Sequence, residues 1–147
     1  MVKYFKKITQ VALVVKDREA TMEKYRQVMG LEPFIVCSTP QVPGRKFRGV
    51  EEDFEVKAAV YRLENGVELE LLQPSKGSSL WQEFLDKHGD GLHHLMFEIE
   101  DLDEFEAYMA SQGIEVAQSG PSAEAGKRWV YFDSYEKLGF YIEAKTK

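Results

Sequence analysis

Gln10, Glu70, His94 and Glu143 are an amide, two carboxylates and an imidazole, and each can offer an oxygen or nitrogen lone pair to a divalent cation. Their spacing suggests that they share one surface. Side chains alternate faces along a strand. In "TQVALVV" the apolar Val11, Leu13 and Val15 point one way, leaving Gln10, Ala12 and Val14 on the other. In "HHLMFEI" Leu95, Phe97 and Ile99 oppose His94, Met96 and Glu98, and in "GVELELL" Val67, Leu69 and Leu71 oppose Glu68, Glu70 and Leu72. Phe140 and Ile142 likewise oppose Tyr141 and Glu143. The same alternation sends His93 to the face opposite His94 and leaves His88 in the preceding turn.

One polar residue on the outer face of a strand is ordinary. Four metal donors on strands that also carry Ala12, Val14, Met96 and Leu72 read instead as the lining of a pocket. One nitrogen and three oxygen donors suit Co²⁺, Ni²⁺, Mn²⁺, Mg²⁺ or Zn²⁺ with water in the open positions. Non-haem iron oxygenases favour two histidines and one carboxylate, so this set fits them poorly.

The elements that must position these residues occur twice. "TQVALVVKDREATMEKYRQVMGLE" and "HHLMFEIEDLDEFEAYMASQGIE" each run from an alternating strand through an aspartate and a helical stretch to a glycine, an aliphatic residue and a glutamate. "GVELEL" and "GFYIEA" match farther along, placing Gln10 over His94 and Glu70 over Glu143. Asp17 and Asp101 are expected helix N-caps, the latter in a capping box with Glu104. Gly30 and Gly113 stand where helices end in a left-handed residue. Leu102, Phe105 and Met109 form an apolar stripe at helical spacing. Further strands are expected at 34–38, 55–63, 67–72, 114–118, 128–132 and 139–144. A short helix capped by Ser79 should turn Leu80, Trp81, Phe84 and Leu85 inward. The stretch "CSTPQVPGRKFRGVEEDF" reads as a long loop of the kind that forms lids. The fold class is therefore α+β, one domain over 1–147, with modules at about 8–74 and 92–145 joined by a linker helix at about 78–88.

The chain has 147 residues, 44% of them apolar and 12% aromatic, enough for a packed interior. A net charge of −6 without a clustered basic block argues against nucleic acid as a partner. The single cysteine, Cys37, excludes an internal disulfide and fits a reducing compartment. No apolar run approaches membrane-spanning length and no signal-peptide core is present, so a cytoplasmic location is expected.

The paired βαβββ pattern, "VVKD…Y…VMGLE" and "GDGLHHLMFEIEDLDE…GIEV", resembles the vicinal oxygen chelate superfamily, which includes glyoxalase I, extradiol dioxygenases and bleomycin-resistance proteins. "ELLQP" and "GDGLHHLMFE" are most similar to its methylmalonyl-CoA epimerase-like branch. The resemblance implies a curved mixed sheet cupping a divalent metal, with Gln10, Glu70, His94 and Glu143 as ligands and a homodimeric assembly. It places Val14 where glyoxalase I usually carries an arginine for glutathione.

A metal of this kind polarises a carbonyl so that a carboxylate can remove the neighbouring proton. Glu143 is the first candidate base and Glu98 the second. The epimerases this chain resembles can use a glutamate on the third strand as a second base, and Lys57, with Glu55 beside it, stands nearest that position. Met96, Tyr141, Lys127 and Arg128 are candidate substrate contacts, the two cations for an anionic handle. The leading reading is an epimerase or isomerase of a small acyl thioester or 2-oxo compound, with a methylmalonyl-CoA-like thioester as the implied substrate. A glyoxalase I-type lyase acting on a hemithioacetal is the second, and a non-catalytic small-molecule-binding protein the third.

Overall fold

Strand β1 (Ile8–Val14) begins the fold, and in the computed structural model, which describes residues 2–39 and 42–146, it lies at the middle of one curled sheet. Asp17 then accepts from the Ala20 amide and starts helix α1 (Arg18–Met29), which ends at Gly30 with φ 66°, a left-handed conformation that glycine adopts without strain. Strands β2 (Ile35–Ser38), β5 (Glu55–Arg62) and β6 (Glu68–Lys76) follow, with a two-strand excursion, β3 (Lys46–Phe47) and β4 (Val50–Glu51), between the first two. Ser79 caps helix α2 (Leu80–His88) by accepting from the Gln82 amide. The second half repeats the order: β7 (Gly91–Ile99), α3 (Leu102–Ser111), β8 (Val116–Pro121), β9 (Arg128–Phe132) and β10 (Tyr141–Thr146), with a single-turn helix α4 (Tyr135–Leu138) before the last strand.

The ten strands lie in the order β2-β5-β6-β1-β7-β10-β9-β8-β3-β4. In each half the first strand runs parallel to the last, β1 beside β6 and β7 beside β10, and the halves join where β1 and β7 pair antiparallel. The four strands carrying the donor residues are thus consecutive at the centre of the sheet. The fold is the expected α+β arrangement of a curved mixed sheet.

Both faces of the sheet are packed. On the outer face, Met22 and Tyr25 of α1 pack against Ala59, Tyr61 and Leu71, while Leu102, Phe105 and Met109 of α3 cover Val130, Phe132 and Ile142. On the inner face, Leu80, Trp81 and Phe84 of α2 bury Ala12, Val14, Leu72 and Tyr141. Alternation alone cast Ala12 and Val14 as the non-core side, yet both are fully buried. The reason is curvature: a curled sheet encloses its inner face, and the linker helix fills one end of the cup.

Several expected boundaries shift. The long loop contributes β3 and β4, and β3 pairs with β8, so the first half supplies the far edge of the second. Residues 40 and 41 of that loop lie outside the described residues. The last strand starts at Tyr141, because 135–138 form the α4 turn ending at Gly139 with φ 83°. Asp101 caps α3 through the Glu104 amide, but the Glu104 carboxylate turns to Lys3 at 2.5 Å. No helix among the described residues is long and apolar enough to cross a membrane.

Candidate active site

Backbone register brings the four donor residues together. β1 lies between β6 and β7, and β7 between β1 and β10, with Gln10 opposite Glu68 and Met96, and Glu143 opposite Met96. His94 Nε2 stands 2.9 Å from Glu143 Oε2, 3.3 Å from Gln10 Oε1 and 3.8 Å from Glu70 Oε1. Gln10 Nε2 donates to Glu70 Oε2 at 3.4 Å and to Glu68 Oε1 at 3.3 Å. In a six-coordinate site with bonds of about 2.1 Å, adjacent donors stand about 3 Å apart and opposite donors about 4 Å. The separations around His94 Nε2 fall in that range.

The electrostatics fit a cation. Burial, and then the charge of Glu143, push the Glu70 carboxyl up to about 8. Glu143 Oε2 is buried and, among the described residues, accepts no aligned hydrogen bond despite its closeness to His94. Two carboxylates and an imidazole in a dry site cost free energy unless a proton or cation sits among them. Among the described residues no three His, Cys, Asp or Glu side chains alone form a ready metal cage. Glu70, His94 and Glu143 alone therefore do not make one as they stand; their distances are short only to His94 Nε2, beside which Gln10 Oε1 is the further donor. By distance and donor chemistry the set fits a divalent cation.

His93 is the main correction to the sequence reading. Alternation sends it away from His94, but Ala12 pairs with His94 and Leu13 with Leu92, so His93 is the extra residue of a β-bulge. The bulge turns both imidazoles inward, with Nδ1 atoms 2.8 Å apart and both side chains fully buried. His93 packs against Phe84, Tyr131 and Tyr141. Burial, and then the neighbouring His94, hold its pKa well below the usual imidazole value, so it is neutral.

Tyr131, opposite Glu143 on β9, sets its ring edge-on to His94 at 4.8 Å. Burial, followed by the charges of Glu143 and Glu70, keeps its phenol protonated. Met96 lies half-buried between Gln10 and Glu143. Glu98, two residues along the same face, pairs with Lys7 at 3.3 Å. Tyr141 is buried beyond His93, against Tyr135, so it backs the site from the α2 side.

The remaining candidates lie apart from the donors. Arg128 faces α3 and pairs with Asp103 and Glu106, on the outer side of the sheet. Lys127 pairs with Glu124 at 2.9 Å in the β8–β9 connection. On β5 the inner residues are Val56, Ala58 and Val60, so Glu55 and Lys57 fall out of phase with them. Val14 is sealed beneath α2. Two site residues were not singled out from sequence: Glu68, in phase with Glu70, and Lys145, in phase with Glu143. The alternation that found their neighbours could have found both.

A curled sheet of two such halves with converging donors defines a vicinal oxygen chelate protein. The chain matches the Glyoxalase/Bleomycin resistance protein/Dioxygenase superfamily over residues 9–132 and belongs to it. It is 30% identical over 115 residues to an ethylmalonyl-CoA/methylmalonyl-CoA epimerase of Cereibacter sphaeroides, covering 78% of this chain and 76% of that one. The fold superposes on the methylmalonyl-CoA epimerase of Mycobacterium tuberculosis with a TM-score of 0.72 at 20% identity, covering 99% and 91% of the two chains. A Streptomyces coelicolor methylmalonyl-CoA epimerase variant in complex with 2-nitronate-propionyl-CoA gives a TM-score of 0.69 at 25% identity, covering 97% and 98%.

Proposed function

We propose that this protein is a divalent-metal-dependent epimerase of a carboxylated acyl thioester of the methylmalonyl-CoA type. The observation that carries the reading is the convergence of Gln10, Glu70 and Glu143 on His94 Nε2 within 2.9–3.8 Å. Similarity to epimerases supports the reaction class.

Gln10, Glu70, His94 and Glu143 would hold the cation. When bound, it supplies Lewis acidity, drawing electron density from a thioester carbonyl and making the adjacent C–H bond more acidic. The chain's own residues do the rest. Glu143, whose Oε2 lacks an aligned hydrogen bond among the described residues, takes the proton from the carbon next to the carbonyl. A solvent-derived proton added to the opposite face of that carbon inverts the centre, and Glu143 passes the proton it took to solvent, so no net proton is consumed. Met96 and Tyr131 wall the reacting atoms from water, which strengthens each electrostatic contact within the cup. His93 Nδ1 accepts a hydrogen bond from His94 Nδ1–H, the tautomer that leaves His94 Nε2 bare for the cation.

The test is proton exchange. Metal-loaded protein incubated with methylmalonyl-CoA in D₂O should replace the α-proton with deuterium, followed by NMR, and His94→Ala should abolish the exchange. Absence of exchange with methylmalonyl-CoA, beside turnover of a hemithioacetal, would replace this reading with the glyoxalase one.

A further inference from the structure

The donor set lies at the bottom of the cup, closed on one side by α2, and its other side carries charge. Moving outward along β10 from Glu143, the next residue in phase is Lys145, which is exposed where Glu143 is buried. Its backbone stands opposite Trp129 on one side and Glu98 on the other. Lys145 therefore lies on the face of the donors, at the exposed end of their strand and two residues from the proposed base.

Charge at this end cancels in a definite way. Arg62 faces Glu68 at 3.6 Å and also lies over the Phe34 ring at 4.2 Å. Lys7 faces Glu98 at 3.3 Å. Glu70 and Glu143 together carry two negative charges, which a divalent cation offsets. Among the described residues Lys145 has no carboxylate within ion-pair distance, yet its charge acts on Glu70. Among the described residues Lys145 is thus a cation on the donor face that no carboxylate pairs directly, and a carboxylate on the substrate's acyl group can pair with it where a neutral acyl group cannot.

We infer that Lys145 is a specificity-determining residue, which binds a carboxylate borne on the carbon next to the thioester carbonyl. The inference rests on the epimerase reading and deepens it. A lysine stem of four methylenes on the adjacent in-phase position can fold back over Glu143, whereas Arg128 faces away from the cup and Lys127 lies in a connection. The ammonium then does two things. It selects carboxylated over plain acyl thioesters, and it holds the carboxylate so that the C–H bond to be broken points at Glu143.

Isothermal titration of the metal-loaded protein with methylmalonyl-CoA and with propionyl-CoA, which lacks the carboxylate, tests this. Wild type should prefer the carboxylated thioester. Lys145→Met should weaken methylmalonyl-CoA binding about 10- to 100-fold, the range of a charge-assisted hydrogen bond, and leave propionyl-CoA unchanged. Lys145→Arg should keep most of the preference. If Lys145→Met discriminates as wild type does while wild type still exchanges the α-proton, this inference falls and the epimerase reading stands. If wild type takes up neither thioester, both fall.

Discussion

His93 Nδ1 and His94 Nδ1 lie 2.8 Å apart, so one of these two buried rings, adjacent in sequence, donates its Nδ1 proton to the other. Adjacent strand residues ordinarily point to opposite faces, and only the bulge at His93 brings them together. A cation on His94 Nε2 requires that proton on His94 Nδ1, donated to His93. His93→Phe keeps the aromatic packing and removes that acceptor. It should weaken divalent-cation affinity about 10- to 100-fold, as loss of such outer hydrogen bonds does, measured by competition with a chromophoric chelator. Unchanged affinity would deny His93 this role.

Glu70 gives the metal-free protein a distinctive pH dependence. Its folded pKa, raised to about 8, exceeds its ordinary value of 4.5, so the folded state binds the proton more tightly than the unfolded one. That contribution to stability is complete below pH 4.5 and is lost as pH rises through 8. Chelator-treated protein should show a urea midpoint that falls between pH 6 and 9, and Glu70→Gln should flatten the fall. A midpoint that rises over this range would contradict the protonated carboxyl.

The two glutamates considered as bases differ in surroundings. Glu143 is buried beside His94, while Glu98 is half-exposed and paired with Lys7. A general base contributes about 10²- to 10⁴-fold. Glu143→Gln should slow α-proton exchange by that factor with the cation still bound, and Glu98→Gln should change it less than about 10-fold. Exchange rates from NMR in D₂O, with metal content measured in parallel, decide between them.

Helix α2 seals one end of the cup through Leu80, Trp81 and Phe84. Trp81 touches Phe54, Trp129 and Tyr131, and Tyr131 in turn meets His94. Trp81→Ala should cost about 3–5 kcal/mol of unfolding free energy in denaturant titration. In the loaded protein it should also weaken the cation, because Tyr131 loses its support. A cost below about 1 kcal/mol would mean that α2 is not part of the core.

Much of this architecture was legible from residues alone. Asp17, Ser79 and Asp101 cap the helices expected of them, and Leu102, Phe105 and Met109 are buried as their spacing required. These signals are local: a cap bonds within three residues and a stripe follows one helical period. The β3–β4 pair was missed because two-residue strands have no period to read, and they form only by adding to the edge at β8.

By itself the sequence determined the duplication, the period of each strand and hence the shared face of Gln10, Glu70, His94 and Glu143. All of that follows from a side-chain period of two and from short-range capping. Only the tertiary structure decided that this face is an enclosed interior, that a bulge turns His93 in beside His94, and that Arg128 faces α3 rather than the cup. Those outcomes depend on sheet curvature, on a one-residue slip in pairing and on which helix covers which face. Each arises between segments far apart in the chain, where no local pattern can record it.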